Sequence, residues 1–65
     1  MNVIINGKNY NVKSSMLFEI LESHKISLEK VAVELDGVVV PKSSIANTQV
    51  QDGSKIEIIT FVGGG

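Results

Sequence analysis

Residues 1–13 form two short runs in which apolar and polar positions alternate. The pair Asn6-Gly7, a strong signal for a two-residue turn, separates the runs. The pattern therefore predicts a β-hairpin with strands over residues 1–6 and 8–13, and it leaves Ile4 on the face opposite to the other apolar residues. The face predicted to point inwards carries Met1, Val3, Ile5, Tyr10 and Val12.

After the hairpin the apolar positions change to the spacing of a helix. Ser15 is predicted to be the N-cap, because its hydroxyl could accept a backbone N–H of the first turn. Phe18 lies at the edge of the apolar stripe and is interpreted either as a half-buried residue at the rim of the core or as a partner contact. The stripe itself carries Leu17, Ile20, Leu21 and His24.

The second half of the chain returns to alternation. Residues 31–35 predict a third strand, Asp36-Gly37 a turn, and residues 38–40 a short fourth strand that Pro41 ends. Residues 42–49 are polar and predict an irregular connection with one helical turn.

The last strand follows a turn at residues 51–54 and is predicted to span residues 55–61. Ile56 and Ile58 fall on the face predicted to point at the helix. The opposite face carries Glu57, Ile59 and Phe61.

The order strand, strand, helix, strand, short strand, strand predicts an α+β fold, with one main helix packed on a four- to five-stranded mixed sheet. This is the order of the β-grasp, or ubiquitin-like, fold, in which the first and last strands are neighbours at the centre of the sheet. The domain is predicted to span residues 1–62, and residues 63–65 are predicted to be a flexible C-terminal glycine tail.

Composition narrows the possible functions. The 65 residues fit one domain, and the absence of cysteine excludes thiol catalysis, a disulfide scaffold and cysteine-bound zinc. The lysines are scattered and there is no arginine, so we expect no nucleic-acid partner. No apolar run approaches the roughly 20 residues of a membrane span, and the first residues lack the basic segment of a signal peptide. We therefore expect a cytoplasmic protein with no membrane partner.

Few residues are candidates for catalysis. His24 is the single histidine, and its place on the helix stripe is more typical of a structural residue than of a base or ligand. Glu19 and Glu22 could together bind a cation, but such a pair is more typical of a solvated helix face. We expect no enzyme activity, no metal site and no bound cofactor in the domain itself.

The chain ends in Val62, Gly63, Gly64 and Gly65, directly after the last predicted strand. A run of glycines adds nothing to a core, so it is either a frayed end or a working part. The α-carboxylate of Gly65, whose ordinary pKa is roughly 3.3–3.7, is ionised at neutral pH and could attack the α-phosphate of ATP in another protein. Glycines would let this end enter a narrow active site, because no side chain clashes there.

Four stretches of the chain carry a family resemblance: VIINGKNY, LFEIL, VAVELDGVVVPKS and QDGSKIEIITFVGGG. Together they resemble the ThiS family, the sulfur carrier proteins of thiamine biosynthesis. The last two stretches are the most specific, because QDG, an alternating strand and FVGGG follow one another. One departure is Met16, where the family often has a threonine that caps the helix toward Glu19.

The resemblance implies that Gly65 carries the sulfur and that Gly64 completes the family's terminal pair. An E1-like adenylyltransferase would use ATP and magnesium to activate the Gly65 carboxylate, and a persulfide derived from a cysteine desulfurase would replace AMP and leave a thiocarboxylate. Thiazole synthase would then take the sulfur. The alternatives are the carrier subunit of molybdopterin synthase and a ubiquitin-like modifier or interaction domain that carries no sulfur.

Partners are expected to dock at the root of the tail. By the strand pattern, Ile4, Ile59 and Phe61 all point away from the helix, and the β-grasp order places their strands side by side. We therefore expect these three residues to form one exposed apolar patch, with Val62 beside it as a further partner contact.

Overall fold

The chain forms two β-hairpins, a helix between them, and a last strand that joins them. The structure is a computed structural model and describes residues 1–61, in which no helix is long and apolar enough to cross a membrane. The strand predictions are confirmed to within about two residues at each end. The elements are β1 (Asn2–Ile5), β2 (Lys8–Asn11), α1 (Leu17–Ser23), a 3₁₀ turn (Leu28–Lys30), β3 (Val31–Leu35), β4 (Val38–Val40), α2 (Lys42–Ile45) and β5 (Lys55–Thr60).

Both hairpins turn through a pair of residues with positive φ. Asn6 and Gly7 have φ of 48° and 84°, and Asp36 and Gly37 have φ of 50° and 86°. Such pairs match the twist of the flanking strands, and glycine accepts this conformation without steric cost. The two turn predictions are therefore confirmed.

The sheet has the strand order β2-β1-β5-β3-β4. β5 lies at its centre, parallel to β1 and antiparallel to β3. One main helix lies against this mixed sheet, which confirms the predicted α+β class and the β-grasp arrangement of the strands.

The core lies between α1 and one face of the sheet. The predicted inward faces of β1, α1, β3 and β5 all contribute to it. Two further residues, Ile45 of α2 and Val50 of the following loop, are also buried, although their segment reads as polar. The fully buried side chains are Leu17, Ile20, Leu21, Ile45, Ile56, Val3 and Val33.

The start of α1 differs from the prediction that Ser15 caps it. Met16 is the N-cap and makes no side-chain capping bond. The Ser14 hydroxyl takes over part of this role, since it accepts a hydrogen bond from the Met16 backbone N–H (3.0 Å) and donates one to the Glu19 carboxylate. A serine two residues before the cap thus connects the two positions that a capping box would join directly.

Candidate functional site

β5 leads directly into the predicted tail. Phe61, the residue after β5, donates its backbone N–H to the Lys30 carbonyl oxygen at 3.0 Å, so pairing with the β3 side continues to the end of the described chain. Val62, Gly63, Gly64 and Gly65 lie outside the described residues, as does the domain boundary after residue 62. Their roles as interface and tail stay predictions.

Ile59 and Phe61 lie on the sheet face that points away from α1. Their side chains are 47% and 56% exposed, which confirms the predicted orientation of the end of β5. Ala32 pairs with Ile59 across the sheet and is half-buried on the same face. We call Ala32, Ile59 and Phe61 the tail-root patch.

Ile4 does not belong to the tail-root patch, so the prediction that it lies close to Ile59 and Phe61 is wrong. The parallel register places Ile4 beside Lys55, at the start of β5 and about 13 Å along the strand from Ile59. Adjacent strands share a face, but the register decides how far apart two residues on it lie. Whether Ile4, which is half-buried, contacts a partner stays a prediction.

Two acidic residues separate Ile4 from the tail-root patch. Glu57 of β5 pairs with Glu34 of β3, on the same sheet face and midway along β5. Two carboxylates directly opposite each other repel, and they also keep this part of the face hydrated. The exposed apolar side chains that β5 contributes to this face therefore lie at its end.

A groove of about 510 Å³ lies at the same end of β5, on the other face of the sheet. The hairpin turn, the end of α1 and the end of β5 surround it. Its lining combines apolar and aromatic side chains with two lysines, and it includes Ile5, Lys8, Tyr10, His24, Ile26, Lys30, Val31, Ile58 and Thr60. We call it the β5-end groove.

His24 lines this groove and is held by contacts within the domain. Its Nδ1 lies 3.0 Å from the Ile20 carbonyl oxygen, which can only accept, so Nδ1 carries the proton and donates it. The imidazole also meets the Tyr10 ring edge to face, with ring centroids 4.7 Å apart. These contacts match the structural interpretation of His24.

No metal-binding cluster is formed within residues 1–61. These residues contain no group of three or more His, Asp or Glu side chains that could hold an ion. Glu19 accepts the Ser14 hydroxyl and lies on the exposed face of α1, as does Glu22. The solvated-face interpretation of this pair therefore fits better than a cation site.

Sequence reasoning assigned Asn6 only to the turn, yet it also supports β5. Its side-chain Oδ1 accepts the backbone N–H of Ile58 at 2.8 Å. The Asn6 backbone N–H is itself donated to the Ile56 carbonyl oxygen at 2.9 Å. The side chain thus extends the parallel pairing of β1 and β5 by one bond after the backbone has turned away. No sequence signal beyond the turn motif indicates this contact.

Comparison with solved structures supports the fold. The crystal structure of the thiamine biosynthesis protein ThiS from Geobacter metallireducens matches with a TM-score of 0.85 and 38% identity, and the match covers all of both chains. A solution structure of a thiamine biosynthesis protein from the same organism matches with a TM-score of 0.78 and 36% identity over 88% of its chain.

Sequence relatives include longer proteins. A thiazole synthase from Paramagnetospirillum magneticum is 46% identical over 66 residues, which cover all of this chain and 20% of that protein. The chain thus spans about a fifth of that relative's length. A protein named ycf40 from Pyropia yezoensis is 33% identical, and 93% of it is covered. The family model described as the ThiS family matches residues 3–65, and the chain belongs to that family.

Proposed function

We propose that this protein is a sulfur carrier of thiamine biosynthesis, which carries sulfur as a thiocarboxylate on Gly65. The observation that supports this most directly is the ThiS family match, which runs through the predicted tail to residue 65. The whole-chain likeness to a thiamine biosynthesis protein supports the same pathway. The domain serves to present its end, and partner enzymes supply the catalysis.

Loading begins with the Gly65 carboxylate. One of its oxygens attacks the α-phosphorus of ATP in an E1-like adenylyltransferase, and magnesium pyrophosphate leaves. The product is an acyl adenylate, in which AMP is a good leaving group. Because the tail must reach the α-phosphate in line, a segment without side chains suits the approach.

Sulfur then replaces AMP. The terminal sulfur of a protein persulfide, derived from a cysteine desulfurase, attacks the acyl carbon and displaces AMP, which gives an acyl disulfide. A thiol then attacks the cysteine sulfur of the acyl disulfide and breaks its S–S bond. Gly65 is released as the thiocarboxylate, and the thiol and the cysteine are joined in a disulfide. One carboxylate oxygen leaves in AMP, the terminal persulfide sulfur takes its place, and the attacking thiol supplies the electron pair that releases the thiocarboxylate.

Thiazole synthase is the proposed acceptor of the sulfur. Two proteins named thiazole synthase contain a region that matches the whole of this chain, at 46% and 32% identity. A carrier and its acceptor that occur in one polypeptide are held at high effective concentration. We propose that the domain meets its acceptor through the tail-root patch and the tail.

Intact-mass measurement tests the proposal. The protein is incubated with the activating enzyme, ATP, magnesium and a persulfide source, and we expect a mass gain equal to replacement of one oxygen by sulfur. Deletion of Gly65, or addition of one alanine after it, should abolish the gain, while the thermal unfolding midpoint should hardly change. Normal loading of the extended protein, with the extra alanine still present in the product, would contradict the role of the Gly65 carboxylate.

A further inference from the structure

The end of β5 has a second unoccupied surface besides the tail-root patch. We infer that the β5-end groove is a docking site for an extended peptide segment of the partner protein, which adds to the edge of β5 and carries an apolar side chain next to a carboxylate. This inference rests on the proposed function only for the identity of the partner. The register of β5 and the lining and charge of the groove define the site itself.

The register leaves backbone groups of β5 facing a gap. The Phe61 N–H donates to the Lys30 carbonyl oxygen, and the Lys55 carbonyl oxygen accepts the Asp36 N–H. The odd-numbered residues of β5 therefore direct their backbone groups toward β3. The even-numbered residues therefore face β1. β1 pairs only as far as Ile56, and the Asn6 side chain then takes the Ile58 N–H.

Two backbone groups of β5 lie beyond Asn6 on the edge that faces β1. Alternation directs the Ile58 carbonyl oxygen and the Thr60 N–H into the gap where β1 has ended. Within residues 1–61, no backbone or side-chain group forms a hydrogen bond with either of them. A strand edge with one free acceptor and one free donor is a template for an added extended segment.

The gap opens onto an apolar lining. Ile58 and Thr60 line the β5-end groove from β5, Val31 lines it from the neighbouring strand β3, and Ile26 lines it from the segment after α1. Its volume of about 510 Å³ falls within the range of small ligand sites. In an added strand every second side chain would point into this groove, so one apolar residue would be buried next to Ile58.

The charge of the groove also restricts which peptide can bind there. Lys8 and Lys30 both line the β5-end groove, and no acidic side chain of the described residues does so. This contrasts with the opposite face, where Glu34 and Glu57 lie near the tail-root patch. A segment that carries a carboxylate next to its apolar residue therefore complements the groove.

The groove reaches the last residue of β5. Thr60 lines it, and Phe61 directly follows on the other face. A partner that encloses the tail must pass the end of β5, where it can contact both surfaces at once. The backbone contact would fix the direction in which the tail leaves the domain.

A peptide titration tests the site independently of sulfur chemistry. The probe is acetyl-Glu-Thr-Val-Thr-Glu-amide, added to the ¹⁵N-labelled full chain while backbone amide signals are followed. We expect shifts centred on Thr60, Ile58 and Lys30, and slower hydrogen exchange of the Thr60 amide. The matched control is acetyl-Lys-Thr-Val-Thr-Lys-amide, which should bind more weakly because of Lys8 and Lys30. Equal binding of the two peptides, or shifts confined to β4, would overturn the inference.

Two substitutions separate the backbone contact from the side chain. Thr60→Pro removes the N–H that faces the gap and leaves the bonds to β3 untouched, since Thr60 directs no N–H to β3. It should weaken peptide binding about fivefold to tenfold, whereas Thr60→Val should bind normally. If Thr60→Pro does not fold, Lys8→Gln with Lys30→Gln replaces it, and the double variant should abolish the preference for the acidic peptide. A preference that survives in the double variant contradicts the inference.

Other occupants are distinguished by two measurements on the free protein. A chain that ends at Phe61 should show the same groove signals as the full chain, and a large change would mean that the protein's own last residues occupy the groove. Sedimentation should give a monomer at the titration concentration, and a dimer broken by Thr60→Pro would assign the groove to a second copy. Either result overturns the inference. Sulfur loading of Gly65 in the unsubstituted full chain tests the proposed function separately, because the peptide titration requires no sulfur chemistry.

Discussion

The two ends of β5 are built differently. At its start, Lys55 pairs with Ile4 on one side, while its N–H and carbonyl oxygen both bond to Asp36 on the other, each at 2.8 Å. The preceding loop is closed as well, because Asp52 accepts the Asn2 N–H at 2.7 Å. At its end, β5 pairs with β3 alone, and its two faces carry the tail-root patch and the β5-end groove.

This difference shows how backbone hydrogen bonds are distributed along β5. A central strand is normally bonded on both sides along its length, and here that holds only for its first half. The half that leads to the glycines carries backbone groups with no partner among residues 1–61, an exposed phenylalanine and an open groove. Stability is thus concentrated at the start of β5, and surface available for binding is concentrated at its end.

The largest expected effect is on stability at the start of β5. Ile56→Ala should lower the free energy of unfolding by about 2–5 kcal/mol, because the side chain is fully buried and its removal leaves a cavity. Ile58→Ala, on the same face but half-buried beside the groove, should cost less. Urea unfolding of both variants measures the difference. Equal losses would mean that the end of β5 is as tightly packed as its start.

The next effect is on binding at the end of β5. Phe61→Ala should weaken binding to the activating enzyme or to thiazole synthase about 30-fold, which corresponds to roughly 2 kcal/mol. Because Phe61 is 56% exposed, the free energy of unfolding should fall by less than about 1 kcal/mol. Isothermal titration and urea unfolding provide the two values.

Val39→Ala is the matched control for Phe61→Ala. Val39 lies on the same sheet face and is 60% exposed, but it belongs to β4 at the edge of the sheet. Its substitution should leave partner binding unchanged. Unchanged binding of Phe61→Ala together with a collapse in stability would show that the tail-root patch is not an interface.

The smallest expected effect is on the unfolding free energy of Asn6 variants. Asn6 bonds to β5 between its doubly paired first half and its open second half. Asn6→Gly keeps a residue suited to the positive φ of 48° but removes the acceptor for the Ile58 N–H. It should cost about 1 kcal/mol of unfolding free energy. Asn6→Asp keeps an acceptor oxygen and should cost less. Hydrogen exchange at Ile58 should be faster in Asn6→Gly only, and equal exchange in the two variants would contradict the side-chain bond.

The predictable parts of this fold are those that local pattern and turn chemistry determine. The Asn6-Gly7 and Asp36-Gly37 turns, the alternating strands and the inward faces all follow from residues within a few positions of each other. The strand order follows from the β-grasp fold, which the order of the elements along the chain indicates. The distance between Ile4 and Ile59 cannot be predicted in this way, because it depends on the parallel register of β1 and β5, which are far apart in the chain.

The start of α1 is a second feature that the local sequence does not predict. Ser14 and Ser15 are adjacent and chemically identical, so a capping preference cannot choose between them. The choice is made by tertiary pairing, since Leu17 donates its N–H to the Thr48 carbonyl oxygen and Ser15 accepts the Val50 N–H at 2.8 Å. These bonds hold Ser15 in an extended connection and leave the Ser14 hydroxyl to reach Met16 and Glu19.

The central position of the last strand also determines when the domain can fold. Until β5 is in place, sheet pairing within residues 1–61 leaves the β1–β2 hairpin and the β3–β4 hairpin unconnected. Pairing Ile5 with Ile56 closes a loop of about 50 residues, an entropic cost that comes before the contacts that offset it. During synthesis, the segment next to the glycines is therefore the one that completes the domain. A chain that lacks β5 has neither the tail-root patch nor the β5-end groove, so both surfaces form only when the domain closes.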